Sequence, residues 1–338
     1  MKKSFNQFSV IGISLFLLFA CDYKPASFGS FQKIIVFADS TIYKSIQPEL
    51  EQTFDQFVYT PHSERSFFLD FHPVSALDTY KSRRNILFIG VIGASDAVSE
   101  FVTGSLSEQT RQAVIENKVF EIFRDNIFAS EQTVMFFPGK DAEQIAKNLR
   151  DRGQLIFEKL HALYLTKMES AMFFEGEQTT LEEYLAKSYD WKVRVQHDYR
   201  LVKEEPGGKV VWFRRLNPDR NLFIYRFPGE KNLDKVDWTF DLRDSLTTIY
   251  YEADSIDRTD SYAQIIDFRG EKAIKLTGIW QNHKLLIGGP FRTIIFYDPA
   301  TGYTYLLDMC VTAPGEMKKN YLDQLEIMAR SFTSVGKM

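Results

Sequence analysis

Residues 83–96 read RRNILFIGVIGASD. After two arginines the chain turns into an almost unbroken apolar run, Ile86 to Ile92, closed by Gly93-Ala94-Ser95-Asp96. Without polar alternation, such a short run bounded by a turn predicts a strand buried on both faces. Strands of that kind sit in sheets with helices on each side, so this stretch predicts an α/β layer. Ser95 or Asp96 then caps the helix that follows, near Ala97–Phe101.

The flanking sequence repeats the pattern. KIIVFADS (33–40) is an apolar run followed by Asp39-Ser40, and Ile42, Ile46, Leu50 and Phe54 mark one face of a helix ending near Phe54. RSFFLDFHPV (65–74) and QTVMFFPG (132–139) supply two more strands, and a short helix is expected at Glu108–Asn117. Asp141 begins a long helix reaching about Met172. Residues 31–175 are therefore expected to form an α/β domain with a mixed or parallel sheet. From 176 to 338 the pattern changes. Thr179 or Thr180 is expected to cap a short helix, after which DWKVRVQ (190–196), YRLVKE (199–204), KVVWFRR (209–215) and NLFIYRF (221–227) read as strands separated by turn residues. The acidic stretch 234–260 is expected to hold a helix and a loop. KAIKLTGIW, FRTIIFYD and TYLLDMCVT add three strands, and KNYLDQLEIMARSF (319–332) a closing helix with Leu322, Leu325, Ile327 and Met328 on the sheet. The expectation is an α+β domain: an antiparallel sheet packed by helices, in layout similar to the PsbP/Mog1-type sandwich.

The beginning of the chain is an address. Lys2 and Lys3 precede an apolar run too short to span a bilayer, which needs roughly 20 residues. Residues 1–20 read as a secretory signal peptide. Leu18-Phe19-Ala20-Cys21 resembles the lipobox of bacterial lipoproteins, which implies a cysteine acylated with chains such as palmitate and a new N-terminus at Cys21; Phe19 is bulkier than that motif usually carries. Residues 21–30, rich in Pro, Ser and Gly, are expected to be a tether. The localisation expected is the cell envelope, on the periplasm-facing side, since Asp22 is the one acidic residue beside the cysteine. Of the two cysteines, only Cys310 would remain free, so no internal disulfide is available. Cys310 lies in an apolar strand and reads as an inert small hydrophobe.

ADSTIYKSIQPELEQTF (38–54), YTPHSERSFFLDFHPV (59–74), RRNILFIG, VVWFRR, LRDSL (242–246), GIWQNHKLLIGGPF (278–291) and YLDQLEIMARSF (321–332) follow one another in an order that resembles a family of Bacteroidota envelope lipoproteins known only as a domain of unknown function. The resemblance implies an envelope lipoprotein and carries over no catalytic residue.

Composition and motifs narrow the chemistry. The net charge of −4 becomes −6 once Lys2 and Lys3 are removed, and no basic stripe exists, which argues against nucleic-acid binding. The five histidines lack metal-ligand spacing, and Asp254, Asp257 and Asp260 lack the glycine and glutamate of a calcium loop. No cofactor and no metal are expected. Asp39, Ser40, Ser95 and Asp96 lie at strand ends, where α/β sheets hold ligands, and form the one candidate hydrolase site; helix capping accounts for them without catalysis. In GIWQNHKLLIGGPF, Gly288 and Gly289 permit backbone conformations closed to other residues and Pro290 fixes the next φ. A hairpin or bulge whose aromatics cover the core explains this element. Its functional alternative is a recognition surface of Trp280, Gly288, Gly289, Pro290 and Phe291, with Phe291 rather than Trp280 as the contact and Trp212, Arg214 and Arg215 added from VVWFRR. The function expected is a membrane-anchored accessory protein that binds another envelope component, protein or glycan, with an envelope hydrolase as the alternative.

Overall fold

The computed structural model describes residues 24–60, 62–252 and 254–335. Cys21 and the signal region lie outside them. The N-terminal half runs β1 (Lys33–Phe37), α1 (Ser40–Phe54), β2 (Phe57–Val58), β3 (Glu64–Arg65), β4 (Phe68–His72), α2 (Leu77–Tyr80), β5 (Asn85–Val91), α3 (Ala97–Gly104), α4 (Glu108–Ile115), β6 (Ile122–Asp125), β7 (Thr133–Gly139) and α5 (Ala142–Phe174). Its sheet has the order β4-β1-β5-β7-β6. β4, β1, β5 and β7 are parallel and β6 is antiparallel, so the sheet is mixed. As its sequence implies, β5 is buried from Asn85 to Gly90.

The C-terminal half runs α6 (Thr179–Tyr189), β8 (Trp191–Lys192), β9 (Arg200–Glu204), β10 (Val210–Arg215), β11 (Asp219–Pro228), α7 (Asp237–Tyr250), β12 (Ser255–Phe268), β13 (Glu271–Asn282), β14 (Ile287–Asp298), β15 (Tyr303–Thr312), α8 (Lys319–Arg330) and β16 (Thr333–Ser334). Seven strands form one antiparallel sheet, in the order β12-β13-β14-β15-β11-β10-β9.

Side-chain alternation arranges these elements in layers. One face of the first sheet (Ile35, Phe37, Ile86, Phe88, Val134, Phe136) packs on Val98 and Val102 of α3 and Val114 of α4. The other face (Ile34, Val36, Leu87, Ile89, Met135, Phe137) meets α1 and α5. That core does not stop at α5. It continues through α8 to the face of the second sheet carrying Phe213, Ile224, Ile294, Phe296, Leu307 and Met309. The far face of the second sheet (Phe223, Ile274, Leu276, Phe291, Leu306, Cys310) is covered by Phe240 and Leu246 of α7. A polar link reinforces the junction. Lys318 and Lys319 offer α8 no side-chain cap of its own, and the buried Glu64 carboxylate accepts their backbone N–H groups at 2.7 and 2.8 Å. An acid at a helix N-terminus satisfies orphan donors and the helix dipole together.

Several local expectations change. Trp191–Lys192 is all that DWKVRVQ contributes as strand, and it pairs with β16 rather than entering the sheet, because Asp190 turns the chain through a left-handed conformation at φ 62°. Gln178, not Thr179 or Thr180, occupies the N-cap of α6, and its amide donates to the Gln196 and Tyr199 carbonyls instead. The expected loop before 260 is the start of β12, an edge strand whose outward polar residues and broken register near Asp257–Tyr262 mask its period. Part of the stretch expected to be a tether is bonded to the fold. Ser27 N donates to the Ser130 carbonyl at 3.0 Å, Phe28 N donates to Ser82 at 3.1 Å, and the Arg83 guanidinium covers the Phe28 ring.

All four tryptophans (191, 212, 238 and 280) lie in the C-terminal half, so their fluorescence reports that half alone. Leu87 belongs to the shared core from the other side. Leu87→Ala should cost about 2–5 kcal/mol. The tryptophan transition should fall by the same amount as the circular-dichroism transition; an unmoved fluorescence midpoint would show that the two sheets unfold separately.

Candidate functional site

The strand-end pairs are placed by the first sheet. Asp39 accepts the Thr41 and Ile42 amides at 2.7 and 3.3 Å, and Asp96 accepts those of Val98 and Ser99 at 3.1 and 2.9 Å. Both carboxylates are the N-caps of their helices, α1 and α3. The Thr41 amide holds the Asp39 carboxyl below its ordinary range, as a bond to the charged form must. Asp39, Ser40, Ser95 and Asp96 line none of five well-formed cavities among the described residues.

The Gly-Gly-Pro element is the outgoing strand of the β13–β14 hairpin, in which Trp280 stands opposite Gly289 and Gly278 opposite Phe291. Neither Gly288 nor Gly289 has positive φ. Their requirement is space. A Cβ on Gly289 would lie 2.0 Å from the Val311 carbonyl oxygen and 3.2 Å from Trp280 Nε1, and one on Gly288 would lie 2.7 Å from the Trp280 carbonyl oxygen. Phe291 is not a contact residue. It is fully buried under α7, with the Arg243 guanidinium 3.8 Å from its ring centre, because residue 291 falls on the inward side of β14. Pro290 and Gly289 are buried too, and Gly288 alone of the group is exposed. Arg243 in turn donates to both Asp308 oxygens, at 2.7 and 3.2 Å, with each partner 1% exposed. Such a pair is kept by mutual satisfaction, since removing either member strands a buried charge.

Trp280 does line a cleft. A cavity of about 220 Å³ opens where α7 leaves the second sheet, walled by Trp212, Tyr250, Tyr251, Trp280, Leu285 and Ile287. Its polar lining is Arg214, Asp219, Asn221, Glu252, Asp254, Thr312 and Cys310. Strand register brings these together: β10 supplies Trp212 and Arg214 beside β11, which pairs with β15, and β13 arrives through β14. Most polar groups are fixed before any ligand comes. Arg214 makes a bidentate pair with Asp219 at 2.8 and 2.9 Å, and Trp212 Nε1 donates to Asn221 at 2.9 Å. Asn282 donates to Asp254 at 2.7 Å, while burial raises the Asp254 carboxyl above its ordinary range. Tyr250 is pushed up to about 12 by burial and by its bond to Glu205. The Trp280 indole N–H is buried without a partner, which is costly unless something accepts from it, and the buried Tyr251 hydroxyl has only the weak acceptor Cys310 Sγ beside it. Of the residues named from sequence, Trp212, Arg214 and Trp280 meet here. Arg215 does not; it pairs with Asp198 on the other side of β10. Tyr250, Tyr251 and Glu252 carried no local signal, and Asp254 stood out only as a failed calcium ligand, because the end of α7 and the turn after it place them through packing rather than motif.

Cys310 is not a nucleophile. Burial, aided by the Asp308 charge, pushes its thiol well above the ordinary range. Among the described residues no three His, Cys, Asp or Glu side chains converge as metal ligands, and no helix is long and apolar enough to cross a membrane.

Comparison with known proteins divides the chain where α5 gives way to α6. Residues 27–173 match the family described as Domain of unknown function (DUF8532), and residues 178–331 match Domain of unknown function (DUF4837). Each of these matches covers less than half of the chain. No curated protein matches it. Among solved structures, a chain from Bacteroides thetaiotaomicron is 10% identical over 43% of this chain and 45% of its own length, with a TM-score of 0.27. This chain thus spans less than half of that protein. The Saccharomyces cerevisiae Ran-binding protein Mog1p is 13% identical over 44% of this chain and 91% of its own, with a TM-score of 0.31. LpqN, involved in cell envelope biogenesis of Mycobacterium tuberculosis, is 11% identical over 42% and 82%, with a TM-score of 0.29.

The thiol provides a check on the cleft. In a Cys21→Ser chain, native Cys310 should react with an aromatic disulfide at pH 8 on the order of 100-fold more slowly than in denaturant. Equal rates would mean that the cleft floor is open.

Proposed function

We propose that the protein is a lipid-anchored envelope component that binds rather than transforms its ligand, and that the ligand is a saccharide segment of another envelope molecule. One observation carries the choice of ligand: a cleft walled by the aromatic faces of Trp212, Tyr250, Tyr251 and Trp280, with the unpartnered Trp280 N–H buried in its wall. Apolar sugar C–H faces stack on aromatic rings, and ring or hydroxyl oxygens accept from buried donors. Asn221, Glu252 and Asp254 add acceptors for sugar hydroxyls. A binding role is favoured over hydrolysis because the strand-end Asp39 and Asp96 carboxylates are committed to helix amides. The anchor rests on the lipobox-like LFAC at 18–21, and the envelope address on the apolar leader before it.

Titration of oligosaccharides released from the native envelope should quench tryptophan fluorescence, and the recovered sugar should be uncut. Trp212→Ala should weaken binding at least tenfold with unchanged circular dichroism, whereas Leu216→Ala, at an exposed position outside the cleft, should bind as the parent does. Equal binding by the Trp212 variant, or cleavage of the sugar, would defeat the reading. Anchoring is checked separately: Cys21→Ser should leave the membrane fraction or persist as an unprocessed precursor.

A further inference from the structure

A second cavity, of about 460 Å³, lies between α5, α8, the β2–β3 hairpin and the opposite face of the second sheet. The two cavities share no lining residue. Lys275 on β13 and Arg292 on β14 point into it from the sheet, and Lys319, Asp323, Glu326 and Arg330 from one stripe of α8. Phe57, Val58, Phe157, Leu165 and Ile327 form its apolar walls.

The charges there do not balance. Four cations (Lys275, Arg292, Lys319, Arg330) share two carboxylates. Asp323 takes Arg292 at 2.8 Å and Lys319 at 2.6 Å, while Glu326 takes Lys275 at 2.8 Å and Arg292 and Arg330 at 2.9 Å each. Tyr164 donates to Asp323 at 2.7 Å and lowers that carboxylate's remaining capacity. No other acid lines the cavity, and two on neighbouring elements are spent, Glu64 on the amides of α8 and Asp55 on Arg65. His161, on the α5 wall, is held below its ordinary range by burial and by the Lys319 charge, so it adds no negative or positive charge near pH 7. Arg292 makes both bonds through Nη1, which leaves Nε and Nη2 without a carboxylate. Arg330 is 43% exposed and screened by water, but Lys319 is 1% exposed, Arg292 9% and Lys275 18%, so three poorly screened cations still face two carboxylates. Excess buried charge of one sign is expensive, and an anion offsets it.

We propose that this cavity is a binding site for a small organic anion, its carboxylate or phosphate held by Arg292, Lys319 and Lys275 and its apolar body lodged against Phe57, Phe157 and Leu165. The site stands apart from the saccharide cleft and survives that reading's failure. Arginine and lysine together suit such a head: the guanidinium fork fixes oxygen geometry and the ammonium groups add charge. Gln56, Phe57 and Val58 come from the N-terminal layer, so the ligand would touch both halves of the chain.

The test uses the full chain and four probes: 4-phenylbutyrate, phenyl phosphate, the neutral 4-phenylbutan-1-ol, and sodium chloride. At ten times its Kd, an anion that fits should raise Tm by about 2–5 °C. Phenylbutyrate or phenyl phosphate should do this where the alcohol and chloride do not, and the stronger of the two names the head group. Lys275→Met should weaken the anion at least tenfold. Phe57 is 60% exposed, so Phe57→Ala should fold normally and weaken both aromatic anions. The proposal is overturned if the alcohol matches the anions, if no anion shifts Tm, or if both variants bind as the parent does.

Discussion

Burial of β14 and β15 on both faces is the constraint from which the second half of the molecule follows. From Gly289 to Phe296, and from Thr304 to Val311, every residue is covered. A sheet buried in this way needs a helix on each side, which α8 and α7 provide, and it tolerates no unpaired charge. Arg292 is accordingly matched to acids on α8, and Asp308 to Arg243 on α7 and to Thr293 beside it in the sheet. The ion pairs are conditions for burying these strands rather than decorations on them. Trp280 and the Arg292 fork, whose pairing is incomplete, each line a cavity.

The fold was legible where burial leaves a local mark. β1, β5 and β7 are apolar without interruption, and Asp39, Asp96 and Asp141 announce their helices by residue type and position. Edges were harder to read. β6 and β12 each lack a partner on one side, so polar residues alternate or intrude and the period dissolves. The stripe Lys319, Asp323, Glu326, Arg330 is the plainest failure. On any isolated helix it reads as a solvated face, and only the arrival of α5 and the β2–β3 hairpin over α8 turns it inward.

The cleft shows the same limit. Trp280 and Trp212 lie far apart in sequence, on strands that are not neighbours, and their meeting depends on the order of five strands. Side-chain parity, by contrast, is strictly local: once β14 is in register, residue 291 must face α7 and residue 292 must face α8. Placing Phe291 outside failed because the glycines were read as conformational devices. They are gaps for neighbouring atoms, at Val311 and Trp280. The sheet thereby separates two chemistries, aromatic rings with an idle donor on one side and surplus cations on the other.

The cap that Glu64 places on α8 joins residues separated by about three-quarters of the chain. During synthesis, the hairpin bearing Glu64 emerges early and α8 almost last. Until α8 arrives, the Glu64 carboxylate has no amides to hold, Tyr164 has no Asp323, and the lower face of the second sheet has no cover. The molecule therefore closes like a clasp whose two halves sit at opposite ends of the thread. A chain cut short by even its last twenty residues would keep most of its strands and still present an open core to any quality-control protease.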